Sequence, residues 1–367
     1  MDLAISAEQR ELARTVGAFL EKRSPEAQVR RLMEDGAAAD PDVWAQMAQQ
    51  LGLQGLIIPE TYGGGGSGFA DVALVLEQMG AALLVAPFLS AVVSSSALML
   101  SDRKELRAEY LPGVAGGEWF GTLALADETG RWDAESCCAY ADIDYCGYRV
   151  SGVKSYVLDG QYADFYIVSA GTDDGVRLFV IDFDAPGIGV TPLQPLDPTR
   201  PIARLTFDRV PARLLSADPG LVDRVLAIAA IALAAEQVGG AQRCLDMALD
   251  YAKTRIQFGR PIGGFQAIKH KCADMLVAVE SARSAAYHAA RVLDDAADDP
   301  RVAAAVAQVH CSQVYSMVAG ENIQIHGGIG FTWEHPAHLY LRRAKSSEKL
   351  FGDPAAHRER LATLVGI

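Results

Sequence analysis

The sequence is poor in cysteine: six thiols occur among 367 residues, and none of them forms a CxxC pair. That spacing argues against a zinc site and against a disulfide framework. The first residues, MDLAISAEQRELAR, also lack the basic and apolar regions of a secretory signal. We therefore expect a cytoplasmic protein whose thiols are reduced. The cysteines are Cys137, Cys138, Cys146, Cys244, Cys272 and Cys311.

Long apolar runs and an excess of positive charge are also absent. The longest apolar run near a helix, VLAIAAIALAA at 225–235, is shorter than the ~18–20 residues that cross a bilayer, and it predicts a buried core helix. The formal net charge of −13 argues against nucleic acid or an anionic membrane as a partner. A polyanionic small ligand remains compatible with this charge, because local arginines can bind it.

The sequence does contain enough apolar material for a large core. Hydrophobic residues make up 50% of the 367 positions, which suffices for two or three domains. The hydrophobic period predicts a helical N-terminal domain at 1–118, a β domain at 119–214 and a helical C-terminal domain at 215–367.

The N-terminal domain carries apolar residues at helical spacing, and Ser6 is a predicted helix N-cap. Its glycine-rich segment PETYGGGGSG, at 59–68, is a weak candidate for a phosphate-binding loop. No strand precedes the segment in a βαβ unit, and no Lys-Ser/Thr pair follows it. We interpret it as a flexible surface turn.

Near Trp119 the hydrophobic period changes from about 3.6 to 2. Short runs rich in Val, Ile, Tyr and Phe, separated by Gly-containing turns, predict an antiparallel barrel or sandwich over 119–214. From Leu221 the helical period returns, in stretches at about 219–254, 264–297 and 301–325. Their alanine-rich faces predict a four-helix-bundle-like domain, and hence an α+β fold overall.

Two segments contain side chains that are suited to binding a ligand. The first, RIQFGRPIGGFQ at 255–266, contains Arg255, whose planar fork of donors suits phosphate oxygens, beside the flat apolar face of Phe258. By itself such a segment is usually a helix end followed by a Gly/Pro turn. The second segment, QIHGGIGFTWEHPAHLYLRRAK at 324–345, makes a binding function the stronger interpretation.

Together these segments resemble the C-terminal signatures of the acyl-CoA dehydrogenases, and the resemblance covers nearly the whole chain. The N-terminal phrases EQREL, LGLQGLIIPETYGG and YLPGVAGGEW are similar to that family too. The resemblance implies FAD as cofactor, an acyl-CoA substrate, electron-transfer flavoprotein as acceptor and a homo- or heterotetramer. It also implies a glutamate that removes a proton from Cα while a hydride from Cβ passes to the flavin.

The resemblance further implies that two segments of this chain hold the FAD of a neighbouring subunit. A diphosphate needs an arginine and side-chain donors, and glycines let the backbone approach it closely. The positions that match the family pattern, here called the FAD clamp, are Arg255, Gln257, Phe258, Gln266, Gln324, Gly327 and Gly328.

The segments that would face the flavin ring depart from the family pattern. In ALADETGRWD, at 124–133, Ala126 stands where the family has a threonine hydroxyl, and Trp132 stands where it has a small serine. In GVKSYVLDG, at 152–160, Tyr156 can serve as an aromatic wall, but Leu158 cannot replace the threonine that contacts the flavin.

The segment that carries the catalytic base in the family also departs from the family pattern. The family motif Arg-Asp-Ala-Lys is followed by the catalytic glutamate, whereas RRAKSSEKLFGD at 342–353 places Phe351 at that position. Some members carry the base on the long helix before the arginine segment, where this chain has Ala229. Glu236, about two turns further along the same helix, is an alternative base. The favoured interpretation is nevertheless a glutamate that is hydrogen-bonded within the bundle or across a subunit contact.

Other polar residues near these segments have weaker functional interpretations. Glu348 is expected on a solvated face, and Asp353 is expected to cap the helix that begins with Pro354. His326 could face phosphate or pack at the turn. His335 and His338 lack a carboxylate or cysteine that would complete a metal set, so we expect no metal site.

Three hypotheses follow. The chain is the FAD-clamping partner of a heteromeric acyl-CoA dehydrogenase, or a self-sufficient homotetramer that uses Glu236, or a non-catalytic scaffold. The matching Arg, Gln and Gly positions argue against the scaffold, and the missing base favours the partner chain.

Overall fold

A computed structural model describes residues 5–295 and 298–367. Within them lie eleven α-helices and nine strands, besides four short 3-10 turns. The helices are α1 (Ala7–Arg23), α2 (Glu26–Asp35), α3 (Pro41–Gln49), α4 (Phe69–Ala81), α5 (Phe88–Met99), α6 (Lys104–Ala115), α7 (Leu221–Thr254), α8 (Gln266–Asp295), α9 (Pro300–His326), α10 (Ala337–Ser347) and α11 (Pro354–Leu364). The strands are β1 (Gly121–Ala124), β2 (Tyr140–Asp144), β3 (Gly147–Leu158), β4 (Phe165–Thr172), β5 (Gly175–Asp182), β6 (Ile188–Pro192), β7 (Ile202–Leu214), β8 (Ile256–Gln257) and β9 (Arg260–Pro261).

The helical, β and helical order agrees with the α+β class predicted from the sequence. The chain divides into two compact units. One comprises Met1–Arg31, Ala73–Leu84 and Ala230–Ile367, and the other comprises Leu32–Val72 and Val85–Ala229. The three domain ranges inferred from the sequence stay a prediction.

Local sequence signals explain several helix ends. The Ser6 side chain accepts a hydrogen bond from the Gln9 backbone N–H, and the Gln9 side chain returns one to Ser6, which is a capping box. Asp353 accepts from the backbone of Ala355 and Ala356, and Pro354 occupies the first helical position of α11. Both caps were predicted from the sequence.

The β strands close into a ring. Successive neighbours are β4, β2, β3, β7 and β5, and β5 pairs with β4 again, while β1 extends from β4 and β6 from β7. The expectation of a wholly antiparallel sheet is wrong at two places, because β1–β4 and the single β2–β4 bridge are parallel. Alternating side chains such as Tyr166, Val168 and Phe179 fill the interior.

The long C-terminal helices α8 and α9 run antiparallel. Cys311 of α9 contacts the carbonyl of Ala282, and Lys271 near the start of α8 bonds Glu321 near the end of α9. Gly240 of α7 lies so close to α9 that an added Cβ would fall 2.4 Å from a Tyr315 ring carbon. The predicted helix at 264–297 is α8, and its last two positions lie outside the described residues.

Candidate functional site

The first clamp segment is a small β-hairpin between α7 and α8. Strands β8 and β9 are joined by Phe258 and Gly259, whose φ angles of 51° and 76° define a two-residue turn of the I′ type. A left-handed backbone is unfavourable for phenylalanine. Phe258 is nevertheless 91% exposed, and its ring meets Phe265 edge-to-face with centroids 6.1 Å apart, so it gains little from packing within this chain. A strained, exposed aromatic side chain is typical of a contact surface.

The polar residues of the clamp are exposed and available. Within the described part of the chain, the Arg255 guanidinium has no ion-pair partner, and the side-chain amides of Gln257, Gln266 and Gln324 make no hydrogen bond. Local backbone bonds hold the arginine segment in place: Arg255 N–H donates to the Tyr251 carbonyl at 2.8 Å. These four side chains therefore present free donors to solvent or to a ligand.

The second clamp segment caps α9. Gly327 has φ 61° and ψ −139°, a conformation that side chains avoid, so the backbone itself requires glycine there. Gly328 is different, because its φ is not in the left-handed range, and an added Cβ would meet nothing within 4 Å. A glycine that this fold does not require is compatible with close approach of a ligand.

Both segments lie at one end of one compact unit. Because α8 and α9 are antiparallel, the start of α8 at Gln266 and the end of α9 at Gln324 come to the same end of the pair. Tyr251, one turn before Arg255, stacks on His326 with ring centroids 4.4 Å apart. The fold thus gathers one guanidinium, three amides, two glycines and an exposed ring, a donor set that suits a dinucleotide diphosphate.

The segments expected to face the flavin belong to the other unit, and three of the four side chains singled out there are buried. Ala126 is 0%, Leu158 4% and Trp132 6% exposed. None of these three can offer a hydroxyl. Tyr156 is the exception, at 39% exposure and φ 57°. It presents an aromatic face at the surface, as an aromatic wall requires.

Lys154 lies between these side chains in sequence and is wholly buried. Its ammonium bonds Asp127 at 2.6 Å and the Leu125 carbonyl at 2.9 Å. This buried ion pair joins β3 to the segment that follows β1, and it holds the segments at 124–133 and 152–160 together. Sequence patterns alone did not single out Lys154, because its partner is 27 residues away.

The usual base position is occupied by a buried hydrocarbon. Phe351 is 2% exposed, with φ 57° in the turn between α10 and α11. The His357 ring donates through Nε2 to the Phe351 carbonyl at 3.1 Å and so fixes this turn. Burial lowers the pKa of His357 to about 4, so the ring is neutral at neutral pH. Ala229, at the alternative position, is also buried and apolar.

Glu236 is buried in an ion pair. Its carboxylate accepts from the Arg343 guanidinium at 2.9 Å, and the two side chains are 8% and 3% exposed. Arg343 stands where the family motif has aspartate, so the replacement places a positive charge inside the unit and Glu236 neutralises it. This contact favours the structural interpretation of Glu236, while its role as a base stays a prediction. The signal in the sequence was the unexpected arginine in RRAK.

The remaining candidates have structural surroundings. Glu348 accepts from Ser316 and Lys345, each at 3.0 Å, so it is partly buried rather than fully solvated. His326 is 6% exposed and packs at the turn instead of facing outward. In the residues that the structure describes, no group of three or more His, Cys, Asp or Glu side chains is placed to hold a metal ion.

Comparison with known proteins identifies the family. Residues 6–118 match "Acyl-CoA dehydrogenase, N-terminal domain" and residues 220–365 match "Acyl-CoA dehydrogenase, C-terminal domain". Acyl-CoA dehydrogenase IpdE2 of Mycobacterium tuberculosis is 35% identical over 98% of each chain. The chain belongs to the acyl-CoA dehydrogenase family, whose members are FAD-dependent oxidoreductases.

Solved structures agree over the full length. A variant of the Tcur3481–Tcur3483 steroid ACAD has a TM-score of 0.92 at 31% identity, covering 99% of both chains. The ChsE4–ChsE5 complex from Mycobacterium tuberculosis has a TM-score of 0.92 at 27% identity, covering 100% of this chain and 99% of that one. Among the described helices, none combines the length and apolar character that a bilayer crossing requires.

Proposed function

We propose that this acyl-CoA dehydrogenase family member takes part in α,β-dehydrogenation of an acyl-CoA thioester as the FAD-clamping chain of a heteromeric enzyme. One contrast carries the proposal: the clamp donors are exposed and have no partner among the residues that the structure describes, whereas the usual base position holds the buried Phe351. A pure scaffold has no use for exposed donors, and a self-sufficient enzyme needs a base. The similarity to the ChsE4–ChsE5 complex supports an assembly of unlike chains.

In this proposal each clamp residue acts on a cofactor shared with the neighbouring chain. The Arg255 guanidinium would hold the diphosphate, because its charge and planar fork of donors suit phosphate oxygens. Gln257, Gln266 and Gln324 donate further hydrogen bonds, and Phe258 covers the ligand from water. When bound, FAD supplies the hydride acceptor. The carboxylate that removes the Cα proton comes from the other chain, because Phe351 cannot abstract a proton.

The substrate class is a second part of the proposal. The similarity to a steroid ACAD over 99% of the chain supports a bulky, steroid-derived acyl-CoA. Electron-transfer flavoprotein is the proposed electron acceptor. Both are tested by assaying the assembled enzyme with steroid-derived and straight-chain acyl-CoA esters, with electron-transfer flavoprotein as acceptor. Turnover restricted to straight-chain esters would contradict the substrate class.

The assembly is tested by purifying the chain alone and together with a second dehydrogenase chain from the same source. We expect no flavin absorbance for the chain alone, and flavin absorbance with acyl-CoA turnover for the pair. One FAD per chain together with turnover by the chain alone would overturn the partner role and favour a homotetramer.

The clamp is tested by Arg255→Ala in the assembled enzyme. Loss of a charge-assisted bidentate contact should weaken FAD retention about 10–100-fold, without loss of secondary structure. Arg255→Lys keeps the charge but loses the planar fork of donors, so its FAD retention should lie between those of wild type and Arg255→Ala. Lys253→Ala removes a neighbouring exposed cation and serves as the charge control. Unchanged FAD content in Arg255→Ala would remove the clamp from the proposal.

A further inference from the structure

Three rings form a column behind the clamp. The Tyr251 and His326 rings stack with centroids 4.4 Å apart at 28°, and His326 contacts His335 with centroids 4.3 Å apart at 47°. Tyr251 lies one helical turn before Arg255, and its carbonyl accepts the Arg255 backbone N–H at 2.8 Å. His326 directly precedes Gly327. The column therefore connects the arginine segment to the Gly-Gly segment.

Hydrogen bonds assign the proton positions of both histidines. His326 Nδ1 lies 2.8 Å from the Asn322 carbonyl oxygen, which can only accept, so Nδ1 carries the proton. His335 Nδ1 accepts the Ala337 backbone N–H at 3.2 Å, so its proton is on Nε2. A proton added to His335 Nδ1 would point at the Ala337 N–H and break this contact. The hydrogen bond from Ala337 therefore requires a neutral His335 ring.

We propose that Tyr251, His326 and His335 are positioning residues that hold the two clamp segments together for FAD, and that protonation of His335 loosens the clamp. This inference rests on the proposed FAD-clamping function and extends it to acid-dependent release of the cofactor. No residue of the column has to touch FAD, because each acts through Arg255 or Gly327.

The surroundings of His335 oppose its protonation. Burial is the main cause that lowers the pKa of His335, and the neighbouring His326 lowers it further. Glu26 acts in the opposite direction, but the net pKa remains lowered. The titratable groups that act on His335 are His326, His338 of α10, and Glu26 and Arg30 of α2. Behind them, Tyr251 stacks on His326, Arg342 acts on His338, and Arg30 also acts on Glu334, which precedes His335.

The direction of the pH effect follows. Above its lowered pKa, His335 is neutral and keeps the Ala337 contact. As the pH falls through that pKa, the ring gains a charge beside His326 and loses its hydrogen-bond acceptor. The clamp segments separate, and FAD retention falls on the acid side.

The experiment uses the assembled flavoprotein with bound FAD and follows the rise of free FAD fluorescence between pH 8 and pH 5. Wild type should release FAD increasingly as the pH falls. His335→Phe keeps a ring in the column without a titrating nitrogen, so it should retain FAD to lower pH than wild type. His335→Ala loses the ring contact and should weaken retention about tenfold even at pH 8. Circular dichroism at each pH reports that the variants are folded.

The outcomes separate this inference from the proposed function. If Arg255→Ala releases FAD but His335→Phe has the pH profile of wild type, the clamp stands and the role of His335 is wrong. If His335→Ala retains FAD as wild type does at pH 8, the column does not position the clamp. If Arg255→Ala itself retains FAD normally, the clamp and the column both fail.

Discussion

The clamp and the expected reaction centre of this chain differ in what they do with polar groups. At the clamp, Arg255 and three glutamines are exposed and have no partner among the described residues. At the positions where the family places hydroxyls and a carboxylate, Ala126, Leu158 and Phe351 are buried and apolar. An exposed free donor is ready for a ligand, whereas a buried phenyl ring is core. The chain thus combines exposed donors that suit a cofactor with apolar packing at the positions expected to face the flavin.

The strongest test of this difference is whether Glu236 acts as a base or as the counter-ion of Arg343. Glu236→Gln leaves the buried Arg343 without its counter-charge, which should lower the free energy of unfolding by roughly 3–5 kcal/mol. The double variant Glu236→Gln/Arg343→Met removes both charges and should recover most of the loss. Urea denaturation measures both effects.

The matched control is Glu348→Gln, which removes a partly exposed partner of Lys345 and should cost less than about 1 kcal/mol. Turnover decides the function. If the double variant is stable but its assembled enzyme cannot turn over acyl-CoA, Glu236 is catalytic and the structural interpretation fails.

Substitution of Phe351 is expected to have the next largest effect on the free energy of unfolding. If its ring is core, Phe351→Ala opens a cavity and should lower the free energy of unfolding by about 3 kcal/mol. Phe351→Leu keeps most of the volume and should cost less than half as much. The specific activity of the folded fraction should be unchanged in both. A selective loss of activity with normal stability would assign the ring a role in the reaction.

The histidine that fixes the Phe351 turn gives a pH-dependent prediction. The pKa of His357 is lowered from 6.5 to about 4, so between these values the unfolded chain binds the proton and the folded chain does not. Stability should therefore fall as the pH drops from 6.5 to 4, by roughly 3 kcal/mol from this group. Urea denaturation at pH 7 and pH 4.5 measures it. His357→Gln should flatten the dependence, and an equally steep decline in that variant would assign it to other groups.

Substitution of Phe258 is expected to give the smallest effect. It tests whether this clamp residue serves the cofactor rather than the stability of the free chain. Asparagine tolerates the left-handed backbone better than phenylalanine does, so Phe258→Asn should stabilise the free chain by about 0.5–1 kcal/mol. The same variant should retain FAD less well in the assembled enzyme. Ile256→Asn, on the adjacent exposed strand, lacks the strain and should give no gain in stability. A Phe258→Asn variant with lower stability would mean that the ring contact with Phe265 outweighs the backbone strain.

Local sequence signals predicted what depends on near neighbours. The Ser6 and Asp353 caps, the period change near Trp119 and the alanine-rich helices all agree with the structure, because capping and periodicity act over a few residues. Several long-range contacts could not be predicted from such local signals. The sequence did not indicate that β1 would pair in parallel with β4, since that pairing joins strands about 40 residues apart.

The sequence by itself determined the chemistry that each position can perform. Residue 351 has no proton acceptor and residue 126 no hydroxyl, and no packing can supply either. Only the tertiary structure decided what the polar residues do. Glu236 meets Arg343 across 107 residues, His326 turns inward onto Tyr251, and Arg255 has no ion-pair partner in the described parts of the chain. A side chain carries its functional groups wherever it is, but its burial and its partners arise only when distant segments pack together.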